Sequence, residues 1–123
     1  MDNEDHAKRE LKLVRKYLMN DISGKRKHAN IVQIMNAFEI EETEKDASLL
    51  AIHMELCVDN LDQFLKMKRN DSANLEATQV YCILIQILSG LVYCHERGFA
   101  HRDLKPANGC PPSPRILDQA TDD

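Results

Sequence analysis

The chain has 123 residues, with 16 Lys+Arg against 20 Asp+Glu and a formal net charge of −4; this mildly acidic balance gives no support for nucleic-acid binding as its main task. An apolar fraction of 43% and a charged fraction of 29% are those of a globular chain, not a disordered one. Apolar runs are short, as at Val80 to Ile85, which at this stage rules out a membrane-spanning helix. Met1-Asp2-Asn3-Glu4-Asp5 holds no apolar stretch and does not read as a secretory signal. Cys57, Cys82, Cys94 and Cys110 contain no CxxC pair, so they read as reduced thiols in an intracellular protein, cytoplasmic or nuclear.

From Glu4 to Met19 the chain is rich in charge and in good helix formers. Leu11, Val14 and Leu18 fall on one helix face, widened by Leu13 and Tyr17, and Asn20-Asp21 and Ser23-Gly24 stop the helix. Lys25-Arg26-Lys27-His28 is a short basic loop, expected to be a solvated one. Two strands are predicted next. Ile31 to Phe38 alternates imperfectly; in Ser48 to Leu56, Leu50, Ile52, Met54 and Leu56 alternate strictly. The acidic stretch from Glu39 to Asp46 between them reads as an exposed hairpin connection. A helix is predicted over Asn60 to Arg69, with Leu61, Phe64 and Leu65 at i, i+3 and i+4. The strongest periodicity runs from Glu76 to Arg97: Val80, Ile83, Leu84, Ile87, Leu88 and Leu91 make a stripe wide enough for a helix packed on most sides. Gly98 is placed to end it in the left-handed conformation, with His95 and Arg97 complementing its C-terminal dipole.

Directly after that helix stands His101-Arg102-Asp103-Leu104-Lys105-Pro106-Ala107-Asn108. The segment resembles the catalytic loop of protein kinases, H-R-D-L-x-x-x-N in spacing, and Lys105-Pro106 resembles the Ser/Thr branch rather than the Tyr branch. The resemblance implies ATP-dependent phosphorylation of protein Ser/Thr hydroxyls. Asp103 would orient the attacking hydroxyl and accept its proton, Lys105 would stand near the transferred phosphoryl group, and Asn108 would offer an oxygen to Mg²⁺. Arg102 would pair with a phosphate on an activation segment.

The match extends upstream over residues 5 to 108. Arg9-Glu10-Leu11 resembles the αC motif, with Glu10 as the acid that pairs with the strand-3 Lys. His28-Ala29-Asn30-Ile31-Val32 resembles the entry to strand 4, and Met54-Glu55-Leu56-Cys57 the end of strand 5 and the hinge. The resemblance makes Met54 the gatekeeper and turns the backbone of Glu55 and Cys57 toward adenine; Asp59 and Asp62 are the candidates for the ribose contact. Val14, Ile34 and His101 would be regulatory-spine residues, so His101 is expected to be tucked inward while Asp103 points to solvent. The run Met54 to Cys57 followed by Asn60-Leu61 is also similar to stress-response kinases of two branches, one phosphorylating a translation initiation factor, the other carrying an endoribonuclease domain.

The pattern also departs from the family. A kinase domain is roughly twice this length. The chain holds no G-x-G-x-x-G, no V-A-I-K strand, no D-F-G and no A-P-E; Asp118 in Ile116-Leu117-Asp118-Gln119-Ala120 is the nearest stand-in for the D-F-G acid. After Asn108 an apolar strand is replaced by Gly109-Cys110-Pro111-Pro112, and a switch so abrupt suggests a frame change, a retained intron or a truncated gene model. The expected architecture is α+β and mostly helical, a partial protein-kinase fold: the αC helix and two antiparallel strands of the small lobe, the hinge, and helices D and E. Residues 1–57 would be small lobe and hinge, 58–108 large lobe with the catalytic loop, and 109–123 a divergent Pro-rich tail. The expected partners are ATP, Mg²⁺ and a Ser/Thr-bearing protein, with no nucleic acid and no membrane. As it stands the chain is expected to be catalytically inactive, and the alternative is a non-catalytic kinase-like protein-binding module.

Overall fold

A computed structural model describes residues 3–19, 24–42, 47–71 and 74–112. Chain contacts divide it into two units, Met1–Glu55 and Leu56–Asp123. The elements are mixed helix and strand, as the partial kinase fold requires.

The first unit opens with helix α1 (Asn3–Leu13), whose last turn widens into a π-helical turn over Val14–Leu18 closed by the Met19 N–H donating to the Val14 carbonyl at 2.8 Å. The wider turn advances the helical phase. Leu11 and Val14 keep the buried face and Leu18 stays half-buried beside them, while Leu13 is left exposed. Strands β1 (Ile34–Glu42) and β2 (Ala47–Met54) pair antiparallel, with Ala37 opposite Ile52 and Glu39 opposite Leu50. β1 therefore runs four residues past its predicted end: Glu39 to Glu42 belong to the ladder, not to the connection. Exposed strand positions tolerate charge, because the ladder bonds come from the main chain. Residues 43–46 lie outside the described residues.

A register irregularity between Ile34 and Asn36 explains the imperfect alternation of β1. The extra residue, Met35, flips the strand's phase. Ile34 and Ala37 thus share the buried face despite their odd spacing, and they join Leu11 and Val14 in the core, with Leu50 and Ile52 packed against it. Ala37 is completely buried, and its carbonyl accepts from Arg15 Nε at 3.0 Å. Ala37→Leu should overpack this core, at a cost of about 1–3 kcal/mol. Amide exchange across β1 and β2 should accelerate accordingly, whereas Leu49→Thr, on the exposed face, should change it little.

In the second unit, helix α2 (Leu61–Asn70) is capped by the Asn60 side chain, which accepts from the Gln63 N–H at 2.9 Å, and Leu61 is buried at its first turn. Helix α3 (Ala77–Glu96) is the longest helix among the described residues. It begins in a reciprocal capping box between Glu76 and Gln79. It ends as predicted at Gly98, with φ +82°, whose N–H donates to the His95 carbonyl while Phe99 N–H reaches the Cys94 carbonyl.

The expectation that α3 is packed on most sides is not met: Val80, Tyr81, Leu84, Ile85, Leu88 and Val92 are between 42% and 68% exposed. No other helix of its unit lies against it among the described residues. The helix also corrects the exclusion drawn from run length, since it is long and apolar enough to cross a membrane, with a mean hydropathy of 1.6 over its most apolar 18 residues. Isolated polar residues such as Gln86 and Ser89 break the apolar runs, yet the average stays high because Ile, Leu and Val outnumber them. The same length and composition suit the core helix of a larger globular lobe.

A candidate phosphoryl-transfer loop

The end of α3 sets where the candidate loop starts. Arg97 stacks its guanidinium 3.5 Å from the centre of the Tyr93 ring and donates from Nη1 to the Tyr93 carbonyl at 3.0 Å, covering one of the carbonyls that the helix end leaves unpaired. Gly98 then turns the chain out toward His101.

Arg102 is the only non-glycine residue with positive φ among those described, at 66°. This left-handed conformation costs an L-residue about 1–2 kcal/mol. Such strain collects at functional sites. Beside it the Asp103 N–H turns back to His101 Nδ1 at 3.2 Å. Lys105 is extended, and Pro106 opens a short 3₁₀ turn over Pro106–Asn108 in which the Asn108 N–H donates to the Lys105 carbonyl at 3.0 Å. Pro suits this first position because its φ is already fixed and no N–H is needed there.

The turn folds Asn108 back over Asp103. Asn108 Nδ2 donates to the Asp103 carbonyl at 2.8 Å and to its Oδ2 at 2.9 Å, and Lys105 Nζ lies 3.5 Å from Oδ1. The ion pair is solvent-exposed on both sides. It therefore contributes only about 0–1 kcal/mol, and the arrangement rests on the turn and the two amide hydrogen bonds. With its NH₂ committed to Asp103, the Asn108 amide presents its oxygen away from that carboxylate.

The structure thus brings Asp103, Lys105 and Asn108 together, with Asp103 facing solvent. His101 departs from expectation. It is exposed, not tucked inward, because its ring nitrogen is used by its own loop and no described residue covers it. Val14 and Ile34 are core residues of the first unit. Glu10 is exposed on α1, and Met54 is exposed at the end of β2. Glu55 is half-buried and tied on both sides: its N–H donates to the Gln33 carbonyl, its Oε1 accepts from the Gln33 N–H at 2.7 Å, and its Oε2 pairs with Arg26 at 2.8 Å. The basic loop is exposed as expected, and within it Arg26 is held by this ion pair; neither it nor Gln33 was singled out by a motif. Of the two ribose candidates, Asp62 pairs with Lys66 at 2.7 Å and Asp59 accepts from the Asn60 N–H. Asp118 lies outside the described residues.

Cys57 and Cys110 are joined as a disulfide, and Cys82 and Cys94 are free. The reading of four reduced thiols is corrected for the first pair. Residues 57 and 110 are distant in sequence but meet because the chain behind the 3₁₀ turn docks on the start of α2, where Leu61 N–H donates to the Gly109 carbonyl at 2.8 Å. Burial pushes the Cys94 thiol up, and nearby Arg97 opposes this in part. At neutral pH Cys94 is thus held more fully as the unreactive thiol. Its alkylation rate should rise at higher pH than that of a denatured-chain thiol, as a pH series followed by peptide mass spectrometry will show.

Residues 2–109 match the family model of the protein kinase domain. The chain belongs to that family. It is 37% identical over 109 residues to the stress-activated protein kinase jnk-1 of Caenorhabditis elegans, covering 86% of this chain and 20% of the relative. It is 37% identical over 106 residues to CDPK-related kinase 7 of Arabidopsis thaliana, covering 85% of this chain and 15% of the relative. It is 35% identical over 81 residues to the "Probable serine/threonine-protein kinase MRK1 homolog" of Encephalitozoon cuniculi (strain GB-M1), covering 66% of this chain and 24% of the relative. The chain thus spans about a quarter or less of the length of these kinases.

Kinases use ATP and Mg²⁺ in general, but the described residues do not fit Mg²⁺ on their own. Among them no group of three or more His, Cys, Asp or Glu is placed to hold a metal ion. Asn108 offers one neutral oxygen, whereas Mg²⁺ calls for octahedral oxygen ligation that includes carboxylates or phosphates.

Proposed function

We propose that this chain carries the hydroxyl side of a Ser/Thr protein kinase reaction. Asp103 orients a protein Ser or Thr hydroxyl and takes its proton, Lys105 faces the transferred phosphoryl group, and Asn108 fixes the Asp103 carboxylate while turning its own oxygen outward. The observation that carries this reading is the Asp103–Asn108–Lys105 cluster, with contacts of 2.9 and 3.5 Å. Chemically, the carboxylate can act only as a base and an orienting group. Stabilising charge on the phosphate needs donors beyond Lys105.

In this reading Met54 is the gatekeeper, the backbone of Glu55 and Cys57 faces adenine, and Glu10 pairs with a strand-3 Lys, so ATP and Mg²⁺ bind only where those further parts are present. Substrates are intracellular proteins, cytoplasmic or nuclear, that present a Ser or Thr hydroxyl. The exposed apolar side chains of α3 favour the second reading, a non-catalytic kinase-like module that binds a protein. Transcript sequencing across the codon of Asn108 separates the two. Continuation into an apolar strand and D-F-G supports catalysis, and a verified stop after Asp123 supports the binding module.

A further inference from the structure

We propose that Cys57 and Cys110 form a reversible thiol–disulfide clasp, closed by exchange with a small disulfide of the glutathione type, that fastens the chain behind the candidate catalytic loop to the chain ahead of α2. Three observations carry it besides the bond itself. The two Cα atoms lie 5.9 Å apart, within the spacing that a bridge spans without moving the backbone. The approach is built by the main chain: the Leu61 N–H donates to the Gly109 carbonyl, and a Cβ at Gly109 would sit 3.6 Å from Leu61 Cβ, in ordinary contact with a buried side chain. Cys110 is exposed, so a small disulfide can reach it.

Competing pairings are unfavourable. Cys82 and Cys94 are twelve residues apart on α3, about 18 Å along the axis at ~1.5 Å per residue. Burial also keeps Cys94 protonated.

The exchange balances without further reagents. The Cys110 thiolate attacks one sulfur of the oxidised small disulfide and expels one small thiolate, which takes up a proton. The Cys57 thiolate then attacks the Cys110 sulfur of the mixed disulfide and expels the second small thiol. Two protein thiols are oxidised, one small disulfide is reduced to two thiols, and excess small thiol reverses both steps.

The clasp acts on the loop because Cys110 stands two residues after Asn108, whose amide holds Asp103, and Gly109 N–H closes the same turn on the Pro106 carbonyl. Closed, it pins the far end of that turn; open, the Leu61–Gly109 hydrogen bond still ties the turn to α2. The inference goes beyond the proposed reaction and holds whether or not phosphate is transferred.

The test equilibrates the full chain in reduced and in oxidised glutathione, quenches with an alkylating agent, and maps modified peptides by mass. Four alkylated cysteines are expected in the reduced buffer. In the oxidised buffer only Cys82 and Cys94 should be alkylated, with a Cys57–Cys110 linked peptide, and amide exchange over residues 103–110 should slow at least several-fold. Cys110→Ser, and independently Cys57→Ser, should leave that exchange fast in both buffers. Alkylation of Cys57 or Cys110 under oxidising conditions, pairing of either with Cys82 or Cys94, or exchange over 103–110 that ignores the buffer overturns the proposal.

Discussion

Purified chain, given Mg²⁺, labelled ATP and a generic Ser/Thr protein substrate, should transfer phosphate no faster than background, and Asp103→Asn should leave that background unchanged. Phosphoryl transfer is almost wholly positioning and charge stabilisation. The loop supplies an ordered carboxylate, a cation 3.5 Å from it and an amide that fixes it, and in the proposed reading only the cation reaches toward the phosphate. The sequence holds no Gly-rich loop and no V-A-I-K Lys for the phosphate side, and among the described residues no group of three or more His, Cys, Asp or Glu is placed to hold a metal ion. Losing one donor aimed at developing charge commonly costs about 10²–10³ in rate. Three such losses bring the rate to background even when their effects are not additive. Transfer well above background that disappears in Asp103→Asn would show that the chain assembles a phosphate site from other groups.

The parts of the fold that were legible in the sequence are those set by local chemistry. The stripe from Val80 to Leu91 and the glycine at 98 marked α3 and its end, because side-chain periodicity and a left-handed stop act within one helix. The H-R-D-L-x-x-x-N spacing marked the loop, because Arg102, Pro106 and Asn108 form its turns from within eight residues. What was not legible depends on partners far along the chain. The Met35 bulge spoils the alternation of β1 and is resolved only by pairing with β2. Glu39 and Glu41 look like a connection until Leu50 and Ser48 stand opposite them. His101 reads as interior by resemblance, yet its surroundings are set by what packs over the loop. Cys57 and Cys110 give no pairing signal over 53 residues; only the docking of Gly109 on Leu61 brings them together.

Expressed by itself, the chain should self-associate instead of behaving as a 14.1 kDa monomer. Two surfaces drive this. On α3, Leu84, Leu88 and Val92 line one side of the helix and Tyr81 and Ile85 widen it, all at least 49% exposed. An apolar face of that kind on a soluble chain is an association site. Among the described residues of the first unit the sheet has two strands, so each strand offers ladder groups along an outer edge, relieved by one bridge from Met19 to Ile34. Phe38, Ile40 and Leu49 add exposed apolar area to the same small sheet. Gel filtration should give broad, concentration-dependent species, and an apolar dye should bind before any heating. Leu84→Glu combined with Leu88→Glu should reduce the association without lowering helix content, since both side chains are already exposed. Leu61→Glu should instead disrupt the second unit, because Leu61 is buried where α2 meets Gly109. A sharp monomer peak, with a cooperative transition above about 50 °C as in ordinary mesophilic domains, would mean that α3 and the strand edges are covered in solution.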